Sequence, residues 1–155
     1  MAGSRYLEDF EVGLRLPIGS VEVNESEALA FARAYDPQLM HIDREAAERG
    51  PFQGLIASGW FTVGLVMRLV AEARPFGDNE VLGMGVDEIR WQLPVRPGDT
   101  ISAEMEVTVV RASRSNPAFG IVTFKITTRN QHGKVVMVHS PSCWVARRPV
   151  PGGAS

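Results

Sequence analysis

In the segment YDPQLMHID, Tyr35 to Asp43, a carboxylate and an imidazole stand five residues apart at Asp36 and His41. Such a pair can give and take a proton at a reacting group, the usual form of general acid–base chemistry near neutrality. On a continuous helix the two side chains would point roughly 140° apart. Pro37 disfavours helical geometry at Asp36, so a turn can bring them together. Apolar Tyr35, Leu39, Met40 and Ile42 flank the pair, and withdrawal from water would raise the Asp pKa and lower the His pKa. A second segment, GLIASGW at Gly54–Trp60, opens a long apolar run. Its SGW heads a helix whose free N–H groups, backed by the positive end of the dipole, suit a developing oxyanion. Gly59 leaves room there for a substrate carbonyl. Taken alone, each feature also has a plainer reading: Asp-Pro as a turn element, His41 as a loop or packed histidine, Gly59 as a close helix contact.

Other reactive side chains point to ordinary roles. His132 lies in a hairpin loop, NQHGK, and reads as solvated; His139 and Cys143 lie in a strand and read as packing residues. Trp60, Phe61, Met67 and Trp91 read as core, with the option of lining an acyl pocket. Arg68, Arg90 and Arg96 read as solvated or ion-paired. The chain has no phosphate-cradling glycine loop, nucleophile elbow or metal-spaced His/Glu cluster, so no metal is expected.

The elements that must position these residues fall into two halves. A capping box at Asn24 and Glu27 starts a helix with an apolar stripe through Ala28, Leu29, Phe31, Ala32 and Tyr35, ended by Pro37. Asp43 caps a short helix that stops at Gly50, and a third helix, Ser58 to about Arg74, is apolar nearly all round and therefore enclosed on most sides. The second half alternates: Val107 and Val109 with Glu106 and Thr108, then Val122, Phe124 and Ile126 with Thr123, Lys125 and Thr127. Turn signals RPGD, SRSNP and NQHGK separate the strands and predict an antiparallel meander, which an early strand at Arg15–Val23 can join. A curved sheet with one apolar face needs a cover, and the long helix supplies it. The predicted fold is α+β, the helix cradled by the sheet.

The 155 residues fit one domain, placed at 1–148, with PVPGGAS making 149–155 a loose tail. A net charge of −2 argues against a nucleic-acid partner, and no basic amphipathic helix suggests a membrane one. The most apolar window is interrupted by Arg68 and Glu72, a core helix rather than a span. One cysteine allows no intrachain disulfide, MAGSRYLEDFEVG does not have the pattern expected of a secretory signal, and the expected compartment is the reducing cytoplasm.

From Tyr6 to about Arg147 the chain resembles the MaoC-like dehydratase family, hot-dog-fold relatives of (R)-specific enoyl-CoA hydratases. YLEDFEVG, FARAYDPQLMHID, PFQGLIASGW and IRWQLPVRPGDTI carry the likeness together. It implies a hot-dog fold, a curved antiparallel sheet of about five strands around a long central helix. It also implies a site. The family motif Asp-x-Asn-Pro-(aliphatic)-His places Asp36 and His41 on its Asp and His, and Gly59 on the glycine at the start of the central helix. By resemblance, Asp36 and His41 activate a water and the Gly59 amide polarises the thioester carbonyl of a 2-enoyl-CoA, with Gln38, Ser58 and Trp60 toward the substrate. Gln38 stands where the motif has Asn, Leu39 where it has Pro, Tyr35 where strict hydratases tend to have Gly, and Ser58 where many have His. The implied reaction is reversible syn hydration of an acyl-CoA or acyl-carrier thioester, with no cofactor beyond the coenzyme A of the substrate. The alternatives are a hot-dog thioesterase and a non-catalytic acyl-thioester-binding module. A homodimer is expected, because a lone hot-dog unit leaves a sheet edge and a cleft uncovered.

Overall fold

A computed structural model describes residues 3–152, so the end of the expected tail, 153–155, lies outside the described residues. Helix α1 spans Glu25–Tyr35, and Asn24 Oδ1 accepts from the Glu27 N–H at 3.0 Å. The Glu27 carboxylate faces Arg68 at 3.8 Å instead of closing the capping box. The segment read from sequence as a bend contains a single helical turn, α2, at Leu39–Ile42. Helix α3, Arg44–Arg49, is capped by Asp43 as predicted, with the Ala46 N–H 2.9 Å from its carboxylate. Helix α4 spans Gly59–Ala73 and ends where Arg74 turns left-handed.

Five strands follow the alternation in the sequence: β1 Arg15–Glu22, β2 Leu82–Trp91, β3 Thr100–Ala112, β4 Phe119–Arg129 and β5 Val135–Ala146. All pairings are antiparallel, in the order β1-β3-β4-β5-β2. The expected meander therefore holds only for β3 to β5. Strand β2 does not neighbour β3 but lies across the sheet beside β5, because the connection from Gln92 to Asp99 is not a hairpin. It is pinned to the loop before α4, where the Ala57 N–H donates to the Val95 carbonyl at 2.7 Å and the Arg96 guanidinium reaches the Phe52 and Leu55 carbonyls.

Along β3, Ile101, Ala103, Met105 and Val107 turn inward, and along β4 Val122, Phe124 and Ile126 do the same, the period of two that puts alternate side chains on one face. Against this concave face α4 buries Phe61, Leu65, Val66 and Leu69. The helix is not enclosed on most sides, as its composition suggested. Its nearest strand is β1, which leaves the β5–β2 side of the sheet uncovered; Trp60, Met67 and Trp91, read from sequence as core, are 56%, 59% and 44% exposed. Between the later turns of α4 and strands β5 and β2 runs an open groove of about 790 Å³. Among the described residues no helix is long and apolar enough to cross a membrane.

Candidate active site

Three separate stretches converge at the head of α4. The first leaves α1 at Asp36, whose N–H still bonds to the Ala32 carbonyl at 2.9 Å. Because Pro37 cannot continue the helix, the chain turns, the Gln38 N–H closes on the Asp36 carbonyl at 2.8 Å, and α2 begins. That one turn carries His41 inward, where it is buried. The second stretch, Leu55–Ser58, runs past α2: the Ile56 N–H donates to the Met40 carbonyl at 3.2 Å, and the His41 Nδ1 lies 2.8 Å from the Ile56 carbonyl. The third is the Gln92–Val95 wall, tied to Ala57 as described above.

The consequences for protons are specific. A carbonyl oxygen can only accept, so the Ile56 contact places the ring hydrogen of His41 on Nδ1. His41 Nε2 then faces Asp36 Oδ2 at 3.3 Å. The same oxygen accepts from the Ser58 hydroxyl at 2.7 Å, and Asp36 Oδ1 accepts from the Gln38 side-chain amide at 2.7 Å. Gln38 and Ser58 thus hold the two oxygens of the carboxylate. The expectation that burial raises the Asp36 pKa is reversed: the Ser58 bond first, then the Gln38 bond, outweigh desolvation and hold the carboxyl below its ordinary range, and His41 adds a smaller push the same way when its ring is protonated.

Ser58 has a second effect. It sits at the N-cap of α4, fully buried, yet its hydroxyl caps no amide of that helix, the role an N-cap serine usually performs. With the hydroxyl turned to Asp36, no hydrogen bond among the described residues reaches the Gly59, Trp60 or Phe61 N–H. These open amides head a 15-residue helix, where the dipole favours negative charge. The room freed at Gly59 is taken by a side chain: a Cβ there would lie 2.5 Å from Trp91 Cε2, and the indole N–H donates to the Gly59 carbonyl at 3.0 Å. Trp60 meets Trp91 edge-on, centroids 5.3 Å apart. Asp36, His41, Gly59, Trp60 and Trp91 together line a cleft of about 390 Å³. Among the described residues no three of His, Cys, Asp and Glu gather as a metal site would require.

Sequence reasoning did not see the Ile56 carbonyl, a backbone acceptor with no residue signature, or the Trp91 cover. It had Ser58 and Gln38 facing a substrate; the structure has both donating to Asp36. This makes a titration test. A carboxyl whose folded pKa lies below its unfolded value adds stability above the unfolded value and loses it as pH falls through the folded one. Ser58→Ala removes the largest cause of the depression. It is expected to cost ~1–2 kcal/mol at pH 7, with the gap to the parent closing as denaturation is repeated below the ordinary carboxylate range. A gap independent of pH would show that the hydroxyl does not hold Asp36 ionised.

The family model for the MaoC like domain matches residues 15–130. The YdeM protein of Bacillus subtilis is 33% identical over 125 residues, covering 81% of this chain and 87% of its own. An (R)-specific enoyl-CoA hydratase of Rhodospirillum rubrum is 26% identical over 144 residues, 92% of this chain and 93% of its own. The crystal structure of a MaoC-like dehydratase from Rhodospirillum rubrum superposes with a TM-score of 0.84 at 38% identity, covering 94% of this chain and 99% of that one.

Proposed function

The chain belongs to the MaoC-like dehydratase family and has its hot-dog fold, and from that premise we propose that it is a hydro-lyase acting on 2-enoyl thioesters through Asp36, His41 and the Gly59 amide. The observation that carries this reading is the 3.3 Å approach of His41 Nε2 to Asp36 Oδ2 with the ring hydrogen committed to Ile56. A bare nitrogen and a carboxylate oxygen are both acceptors. A molecule with two donors bridges them, and a water does so while turning its own lone pair outward.

With the thioester oxygen on the Gly59 N–H, that lone pair adds to the β-carbon. The C–O bond forms as an O–H bond breaks, and the released proton passes to the Asp36–His41 pair. Electron density moves through the conjugated system onto the thioester oxygen, where the open amides and the helix dipole stabilise it. The α-carbon then takes a proton from the pair on the same face, which restores the carbonyl. Dehydration is the same path reversed. Coenzyme A, or a carrier arm, enters as part of the substrate, and the steps call on no other cofactor.

Hydration removes the conjugation of the 2-enoyl thioester, so its ultraviolet absorbance falls without release of thiol. Loss of absorbance with thiol release would instead identify a thioesterase, and binding without either change a non-catalytic module.

Two copies are expected to pair. Strand β2 has a free outer edge, and Leu82 and Met84 on it are 67% and 52% exposed; an uncovered apolar edge is a template for another strand. Sedimentation at micromolar concentration is expected to show a dimer for the parent and, for Leu82→Lys combined with Met84→Lys, a dissociation constant raised tenfold or more, toward monomer. A monomeric parent would overturn the pairing.

A further inference from the structure

The groove beside α4 contains a polar group that nothing among the described residues satisfies. Its walls are apolar, among them Val63, Met67, Val70, Phe124 and Ile126. Set into them is His139, only 6% exposed, with Nδ1 buried and without a hydrogen-bond partner. Its neighbours across the sheet are Ile89 on β2 and Ile126 on β4, so neither flanking strand offers a partner. A buried ring nitrogen left unpaired costs free energy that an incoming polar atom would recover.

The groove is placed to receive the far end of a ligand held at the candidate site. Its first residue on α4, Val63, lies ~6 Å along the axis from Gly59, and it continues to Arg74, ~16 Å further. On the sheet side, Met137 pairs with Trp91, whose indole bonds to Gly59. His139 lies two residues further along β5 on the same face, ~7 Å away. Opposite this stretch, Gly83 and Gly85 leave open space where side chains would stand.

Resting on the reading of the site as one for acyl thioesters, we infer that this groove is an acyl subsite in which His139 recognises an oxygen carried part-way along the acyl chain. The oxygen is that of a hydroxyl or a keto group. Burial pushes the His139 pKa down, so the ring presents one N–H and one bare nitrogen. That suits a neutral oxygen rather than a carboxylate. Burial likewise pushes the Cys143 thiol up, which keeps it an uncharged part of the wall.

Matched 2-enoyl-CoA thioesters of equal chain length, with and without a distal keto or hydroxyl oxygen, test this. The parent is expected to favour the oxygenated partner by about tenfold in kcat/KM, roughly what one hydrogen bond to a buried group is worth. His139→Leu is expected to abolish that preference, read as the ratio of the two kcat/KM values measured on the same variant. Equal turnover of the two by the parent, or an equal loss for both in His139→Leu, overturns the inference. The pairs are also compared as saturated acyl-CoA in thermal-shift measurements. If no thioester is hydrated, so that the proposed reaction fails, the shift still decides the subsite: a larger shift for the oxygenated ligand, lost in His139→Leu, upholds it, and equal shifts overturn it.

Discussion

Asp36→Asn is expected to fold as the parent does and to lose hydration of 2-enoyl thioesters by about 10²–10⁴-fold in kcat, the range for removing a positioned acid–base group. The side-chain carbonyl of the asparagine can still accept from Ser58 or Gln38, so the turn after α1 keeps its supports. What disappears is the ability to take a proton. His41→Gln is expected to lose activity on the same scale for a different reason: it removes both the Nε2 lone pair and the Nδ1–H bond that ties α2 to Ile56. Rates from loss of the conjugated-thioester absorbance, with circular dichroism to establish folding, check both variants. Parent-like turnover in Asp36→Asn would remove the carboxylate from the chemistry.

Gly59→Ala is expected to lower kcat/KM by about 10²-fold, the scale on which small misplacements act, while changing stability by less than ~2 kcal/mol because two effects oppose. Alanine is the better helix former by ~1 kcal/mol, but its methyl group would lie 2.5 and 2.6 Å from two atoms of the Trp91 indole, and overpacking of this kind costs ~1–3 kcal/mol. Trp91 is half-exposed and can swing away. Doing so breaks its bond to the Gly59 carbonyl and takes a wall from the cleft. A change in tryptophan fluorescence should accompany the loss of rate. An unchanged spectrum with unchanged kinetics would mean that the indole does not shape the site.

Much of this molecule was legible before any coordinates, and the reasons differ by element. Helices α1 and α3 announce themselves through Asn24, Asp43 and Pro37, because caps and prolines act through bonds within a few residues. The strands show through alternation, which says which face a side chain takes but not which strand lies next to it. The placement of β2 beside β5 was therefore missed; it depends on Ala57, Leu55 and Phe52 gripping the 92–99 connection from far away in the chain. The candidate site divides in the same way. Asp36 and His41 stand out by type and spacing. The diversion of the Ser58 hydroxyl, the Ile56 acceptor and the indole over Gly59 are tertiary contacts, and they also reverse the pKa shift that local apolar neighbours suggested for Asp36.

The wandering path of the 92–99 segment bears on how the polypeptide acquires its geometry. Strands β3, β4 and β5 can zip together through short turns, an early and inexpensive step, whereas seating β2 requires closing a long excursion around the sheet, which loop entropy makes slow. A half-assembled chain can hide most of its grease and still lack the indole and the wall that frame the cleft. Completion of the candidate site is thus expected at the last stage of maturation rather than at collapse.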